Sequence, residues 1–253
     1  SAAASDVYKR QELPLVPLSD GAGEVVAVGN DVKEYNVGDR VTSVFWQDWN
    51  ANNSNRMVST GSDAAGVLSE YAVLPKEAVL PIPEYMSYQE ASTIPCAAVT
   101  AWTCIKAANI GPGDTVLLLG TGGVSVLALQ ILKAMKANVI ITSSSNEKLQ
   151  RAKELGADHT INYKENPEWG SDAFGLSNGG VDLVIEIGGE STFPQTINAL
   201  KIGGHICVIG ALGGINVQLN LMQMVFKNLH VHGITVGSRE AVSYTHLTLP
   251  TNR

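Results

Sequence analysis

The sequence predicts an α/β chain in two parts: a β-rich first part, then a doubly wound parallel sheet covered by helices on both faces. Three observations carry this reading. From Leu15 to Leu80 short β-rich runs are separated by turn residues. From Thr115 onward apolar strands alternate with helical segments, and a glycine-rich turn joins the first of these strands to its helix.

The β-rich runs are 23–29 (GEVVAVG), 39–45 (DRVTSVF) and 68–74 (LSEYAVL), a spacing that suggests a small barrel or sandwich. Between the second and third lies a segment from Gln47 to Gly66 rich in Asn, Ser, Asp and Gly, which reads as mobile surface loop. At Ser87 the pattern turns helical, because Ser87 and Glu90 form a capping box and Ala91, Ile94, Ala98 and Ala101 recur at helical spacing. Pro95 must break or bend that run. The later strands are expected at 115–119, 138–142, 160–162, 181–187, 205–209 and 229–234, and the helices between them at 124–135, 146–155, 192–199 and 221–226.

Composition narrows the function classes. The 253 residues carry 17 Lys plus Arg against 24 Asp plus Glu, and the net charge of -7 leaves no electrostatic footprint for nucleic acid or an anionic membrane. Cys96, Cys104 and Cys207 are too few and too scattered for a disulfide framework, and no C-x-x-C pair suggests a zinc ribbon. A reducing, cytoplasmic setting is expected, with neither nucleic acid nor a membrane as partner. Residues 1–11 and 243–253 lack periodicity that continues into their neighbours. They read as non-native tails on an internal fragment, the alternative being frayed native ends.

Residues 120–125 (GTGGVS) follow a strand directly and open a helix, the context that a dinucleotide fingerprint requires. Gly122 and Gly123 let the backbone approach a pyrophosphate, the N–H groups at the helix start point at its charge, and Ser125 is small enough for helix-on-strand packing. A tight turn without a ligand is the plainer alternative. After the next strand, where an acidic residue would take the ribose 2′-OH of NAD, the chain has Thr142-Ser143-Ser144-Ser145. Nothing acidic there repels a 2′-phosphate, the hydroxyls could donate to it, and Lys148 could supply charge, though Lys148 would serve equally as a solvated helix residue.

From about Pro14 to Arg239 the chain resembles the medium-chain dehydrogenase/reductase family, specifically its zinc-independent, quinone-oxidoreductase-like alcohol dehydrogenases. The resemblance rests on 20–26 (DGAGEVV), 37–41 (VGDRV), 91–95 (ASTIP) leading to Thr100-Ala101-Trp102, and 120–125. Lys148-Leu149, Ala152, 155–158 (LGAD) and Ile161-Asn162-Tyr163 extend it. It implies a GroES-like β domain paired with a Rossmann domain, and hydride transfer between a nicotinamide and a carbonyl, alcohol, quinone or activated alkene. The domains are then expected at 12–98, incomplete and with a linking helix, and at 99–240.

Carried over singly, Gly122, Gly123 and Val124 match the pyrophosphate turn, and Ser144, Lys148 and Tyr163 match positions that bind a 2′-phosphate, which favours NADP over NAD. Thr100, Ile187, Gly210, Ala211, Ile234 and Val236 match residues beside the nicotinamide, places that ordinary packing would also fill. Where zinc-dependent relatives carry His-Glu the chain has Ser19-Asp20. Cys96 does fall at another ligand position, but one Cys and one Asp do not reach the count that a catalytic zinc needs, and Cys96 reads as a pocket-lining residue. The four-cysteine lobe of zinc-containing members would fall in 47–66, which holds no cysteine.

The five histidines, His159, His205, His230, His232 and His246, match no family ligand position and read as structural. No catalytic residue or proton donor is identified, and the chain is expected to bind cofactor yet turn over poorly. Relatives with this fold that serve as noncatalytic nucleotide-binding or structural proteins supply the alternative. A methyltransferase is a more distant one, opposed by the missing carboxylate and the β-rich first part. Family members are often dimers or tetramers, and an open strand edge at 229–234 would suit a homo-oligomer.

Overall fold

Short antiparallel strands carry the first part of the chain in the computed structural model, which describes residues 14–49 and 58–248. Strands β1 (Ala22–Glu24), β2 (Arg40–Ser43) and β3 (Val79–Pro81) form a sheet in the order β1-β2-β3. By contacts the chain divides into two units, one comprising the residues up to Val99 and those from Val236, the other Thr100–Thr235.

Three expectations for the first unit need correction. The run 23–29 is strand only as far as Glu24, although Val25 continues the pairing through its N–H on the Asp39 carbonyl (2.9 Å). The run 68–74 forms no strand; Tyr71 and Val73 are exposed, and pairing stops at its first residue, whose Leu68 N–H donates to the Pro17 carbonyl (3.1 Å). Period-2 patterning marks a residue as suited to a sheet but does not supply the neighbour whose backbone it must pair with. β3 was not expected because it ends in Pro81, which is tolerated here on an edge strand. Part of the loop 47–66 lies outside the described residues, as do residues 1–11 of the first tail.

The capping box is present in full: Ser87 Oγ accepts the Glu90 N–H, and the Glu90 carboxylate accepts the Ser87 N–H (2.8 Å). It opens α1 (Tyr88–Ala91). Pro95 then sits near the start of a π-helical stretch, Ile94–Ala98, which leads into α2 (Val99–Ala107). The proline thus bends the run rather than ending it.

In the second unit β4 (Thr115–Leu118), α3 (Gly123–Ala134), β5 (Asn138–Ser143), α4 (Asn146–Glu154) and β6 (His159–Asn162) alternate. α5 (Trp169–Leu176), β7 (Val181–Glu186), α6 (Phe193–Ala199), β8 (Leu200–Val208), α7 (Leu221–Lys227) and β9 (His230–Gly233) continue the pattern. The strands form one parallel sheet in the order β6-β5-β4-β7-β8-β9. Residues buried on both faces, such as Val116, Leu117, Leu118, Ile140 and Ile141, explain why these strands read as unbroken apolar runs. One core cluster joins Leu117, Ile140, Val184 and Ile206 of the sheet to Trp169, Ala173, Phe193 and Ile197 of α5 and α6.

α5 was not expected. Its two glycines dilute the helical pattern, yet Gly170 is there for contact: a Cβ would lie 2.2 Å from the Gln195 carbonyl oxygen of α6. β8 also starts earlier than expected, at Leu200, with an irregularity in its pairing to β7 at Val181 and Leu183. The last helix, α8 (Arg239–Thr248), runs into the segment from residue 243 that was expected to lack helical order. Thr245 fills a buried position there and satisfies its hydroxyl on the Ala241 and Val242 carbonyls, so a polar residue hides the periodicity. Among the described residues no helix is long and apolar enough to cross a membrane.

Candidate functional site

A doubly wound sheet opens a crevice at the carboxyl ends of its strands where the strand order reverses. Here the reversal falls at β4, with β5 on one side and β7 on the other. Immediately after β4 comes the glycine turn. Gly120 adopts φ +74 and donates its N–H to Thr142 Oγ1 (3.1 Å), and the Thr121 and Ser143 hydroxyls bond each other (3.1 Å). The turn is therefore pinned to the end of β5 by the hydroxyls of Thr142 and Ser143, contacts that the sequence analysis above does not include. Hydroxyls ending a strand beside the turn were the available signal.

α3 starts at once. Its N-cap is Gly122, which offers no side-chain cap, so the N–H groups of its first turn are left to an outside acceptor. A Cβ added at Gly120 or Gly122 would meet nothing within 4 Å, so bare backbone fronts open space. Val124 is half-buried, while Gly122 and Gly123 are exposed. Ser125 is buried and donates to the Leu119 carbonyl (3.0 Å), tying helix to strand. The turn thus has the shape and exposed donors that a pyrophosphate needs, and the chain fits a dinucleotide on this observation.

At the next strand ends, Ser143 of β5 is in register with Asn162 of β6, and the Tyr163 N–H donates to the Ser143 carbonyl (3.1 Å). Ser144 and Tyr163 therefore leave the sheet side by side. Ser145 caps α4 by accepting the Lys148 N–H (3.4 Å), which places Lys148, exposed, in the first turn of that helix. No ion pair of Lys148 is present among the described residues. The nearby carboxylate of Glu165 is held by the amides of Asn146 (2.7 Å) and Asn162 (2.9 Å).

On the other side of the reversal, Ile187 follows β7, Gly210 and Ala211 follow β8, and Ile234 follows β9. The Ile234 N–H donates to the Val208 carbonyl (3.0 Å), and a Cβ on Gly210 would lie 3.2 Å from Ile187 Cγ1. The fold thus gathers Gly122, Gly123, Val124, Ser144, Tyr163, Ile187, Gly210, Ala211 and Ile234 along one edge of the sheet. Thr100 is buried at the start of α2, and Val236 is buried with φ +61 in the first unit; neither belongs to that edge.

In the first unit, Ser19 Oγ donates to Asp20 Oδ1 (2.9 Å), and Ser43 Oγ donates to the Ser19 carbonyl (2.7 Å). Burial pushes the Asp20 carboxyl up to about 6 despite the Ser19 hydrogen bond. Cys96 is half-buried in the π-helical stretch. A catalytic zinc takes about three protein ligands. With a serine in place of an imidazole, Asp20 and Cys96 fall short, and no three His, Cys, Asp or Glu side chains converge on a metal position among the described residues. This donor set does not fit zinc.

Two family models match the chain: the alcohol dehydrogenase GroES-like domain over residues 2–84 and the zinc-binding dehydrogenase domain over 123–248. A zinc-type alcohol dehydrogenase-like protein of Schizosaccharomyces pombe is 44% identical over 90% of this chain and 69% of its own length. An alcohol dehydrogenase of Geobacillus stearothermophilus is 33% identical over 94% of this chain and 73% of its own. Among solved structures, an NAD-dependent alcohol dehydrogenase superposes with a TM-score of 0.87 at 34% identity, covering 94% of this chain and 72% of that one.

Proposed function

Because the chain belongs to the medium-chain dehydrogenase/reductase family, as an alcohol dehydrogenase and quinone oxidoreductase-like oxidoreductase, we propose that it uses NADP and works without catalytic zinc. The reaction is hydride transfer between a nicotinamide and a carbonyl or alcohol, a quinone or an enone. The observation that carries the cofactor choice is the end of β5, where hydroxyls stand beside the glycine turn in place of a carboxylate and Lys148 follows in the first turn of the next helix.

In this reading the backbone of Gly122, Gly123 and Val124 holds the pyrophosphate, and Ser144, Lys148 and Tyr163 hold the 2′-phosphate through donated hydrogen bonds and charge. Ile187, Gly210, Ala211 and Ile234 supply the apolar wall against which a nicotinamide ring is oriented and kept from water. When bound, the cofactor would donate the hydride to a carbonyl, quinone or enone, or accept it from an alcohol. The protein's part is positioning and exclusion of solvent, with no metal to polarise the substrate. The poor fit of Ser19, Asp20 and Cys96 to zinc supports this.

The 34% identical neighbour is NAD-dependent, so the choice needs a direct test. Titration by nicotinamide fluorescence should show NADPH binding about tenfold more tightly than NADH, the preference vanishing in Lys148→Ala, as expected for one charge-assisted contact. Equal affinities in the wild type would overturn the NADP assignment, and binding of neither would overturn the dinucleotide reading. A carbonyl panel followed by nicotinamide absorbance separates catalysis from a noncatalytic nucleotide-binding role.

A homodimer is the second proposal. It is supported by the open outer edge of β9 and by the exposed Leu212, Ile215, Leu221, Val225 and Phe226 in the stretch that leads into it.

A further inference from the structure

Glu186, the last residue of β7, is the one acidic or basic side chain that is fully buried among the described residues. A charge taken from water is costly unless hydrogen bonds replace its hydration, and here they do. Oε1 accepts the N–H groups of Gly188 (2.7 Å) and Gly189 (3.0 Å) and the hydroxyl of Thr192 (2.6 Å), while Oε2 accepts the Thr196 hydroxyl. All four donors lie in the turn after β7 or in the helix that follows it. The carboxylate therefore gathers the chain back on itself as it leaves the sheet.

That turn is fastened in its turn to the one after β8. The Leu212 N–H donates to the Ile187 carbonyl (2.9 Å), the Gly213 N–H to the Gly188 carbonyl (2.6 Å) and the Glu190 N–H to the Gly214 carbonyl (2.9 Å). Gly189 makes the approach possible: it sits at φ +70, and a Cβ there would lie 2.3 Å from the Gly214 carbonyl oxygen. Ile187, Gly210 and Ala211 are carried on these two turns. An apolar residue at the end of β7 would fill the space equally well but would hold neither turn.

We propose that Glu186 is a positioning residue for the nicotinamide half of the cofactor. Its carboxylate fixes the turns after β7 and β8 in the one arrangement that presents Ile187, Gly210 and Ala211 as a wall. The inference rests on the cofactor reading above; the glycine turn follows β4 and Lys148 follows β5, and the bonds that Glu186 accepts go to neither.

The test compares NADPH with adenosine 2′,5′-bisphosphate, which lacks the nicotinamide, as ligands of the wild type and of Thr192→Val, Glu186→Ala and Glu186→Gln. Thr192→Val removes one donor and keeps the side-chain shape. NADPH binding should weaken about tenfold in Thr192→Val and at least as much in Glu186→Ala, with adenosine 2′,5′-bisphosphate affected less than about twofold in Thr192→Val. Glu186→Gln keeps an oxygen for the Oε1 donors and an amide that can donate to Thr196, and should restore NADPH binding to within about threefold. Equal weakening of both ligands, or unchanged NADPH binding in Thr192→Val, would overturn the proposal. Failure of the cofactor reading appears in the wild type itself, as no binding of either ligand, whereas failure of this inference appears only in the variants.

Discussion

At the scale of single residues, two carboxylates show opposite consequences of their surroundings. Burial holds the Asp20 carboxyl at about 6, well above its ordinary 3.8. The folded chain therefore keeps a proton that the unfolded chain releases, and the stability tied to this group is whole below pH 3.8 and lost as pH rises through about 6. At neutral pH the loss is up to about 3 kcal/mol, so Asp20→Asn should melt several degrees above wild type near pH 8 and show no advantage near pH 4. A pH-independent difference between the two melting curves would contradict this. Asp158 behaves in reverse. Burial pushes it up, but the Lys133 ammonium (2.7 Å) and the Val139 N–H (2.7 Å) outweigh burial and hold it low. Asp158→Asn should therefore cost stability at pH 7, and the deficit should disappear as acid protonates the wild-type carboxylate.

At the scale of elements, what could be read in the sequence followed burial. The parallel strands were legible because a strand covered on both faces must be apolar throughout, and the glycine turn because it sits between two such signals. The first unit was less legible: its strands are three or four residues long and partly exposed, and β3 ends in proline. Glu186 was not singled out, since a glutamate closing an apolar run shows its purpose only when the donors of the following turn fold over it. On β8 and β9 three of the strand histidines come together. His205 and His230 stack at 4.6 Å, and His205 Nδ1 lies 2.9 Å from His232 Nε2, with Asp182 and Lys201 as the charged neighbours. Burial first, then the other two imidazoles, lowers the His205 pKa. The folded state takes up this proton less readily than the unfolded state, so stability is complete above about pH 6.5 and falls as pH drops through it. The urea midpoint should drop between about pH 7.5 and 5.5 in the wild type and drop less in His205→Gln; equal drops would remove the histidines as the cause.

At the scale of the whole molecule, the proposed homodimer rests on the edge of the larger sheet. β6 closes one side of the order and β9 the other. The outer edge of β9 has no strand beside it among the described residues, and Val231 within it is exposed. The chain on the way into β9 leaves Leu221, Met222, Val225 and Phe226 in water on the seven-residue helix α7. An apolar helix and an unpaired strand edge on one stretch of chain are costly together in a monomer. A twofold axis removes both costs at once: β9 pairs antiparallel with its own copy, and the residues of α7 are covered by identical ones, because such an interface is self-complementary. Light scattering should then give twice the 26.8 kDa of one chain. Val231→Asp, which puts two like charges against each other across the axis, should return the monomer while leaving NADPH affinity within about twofold, since the glycine turn lies three strands away in the order. A monomeric wild type would sink the dimer. A dimeric Val231→Asp would move the interface off β9, and a monomer that had also lost NADPH would mean that the edge supports the cofactor site rather than only joining copies.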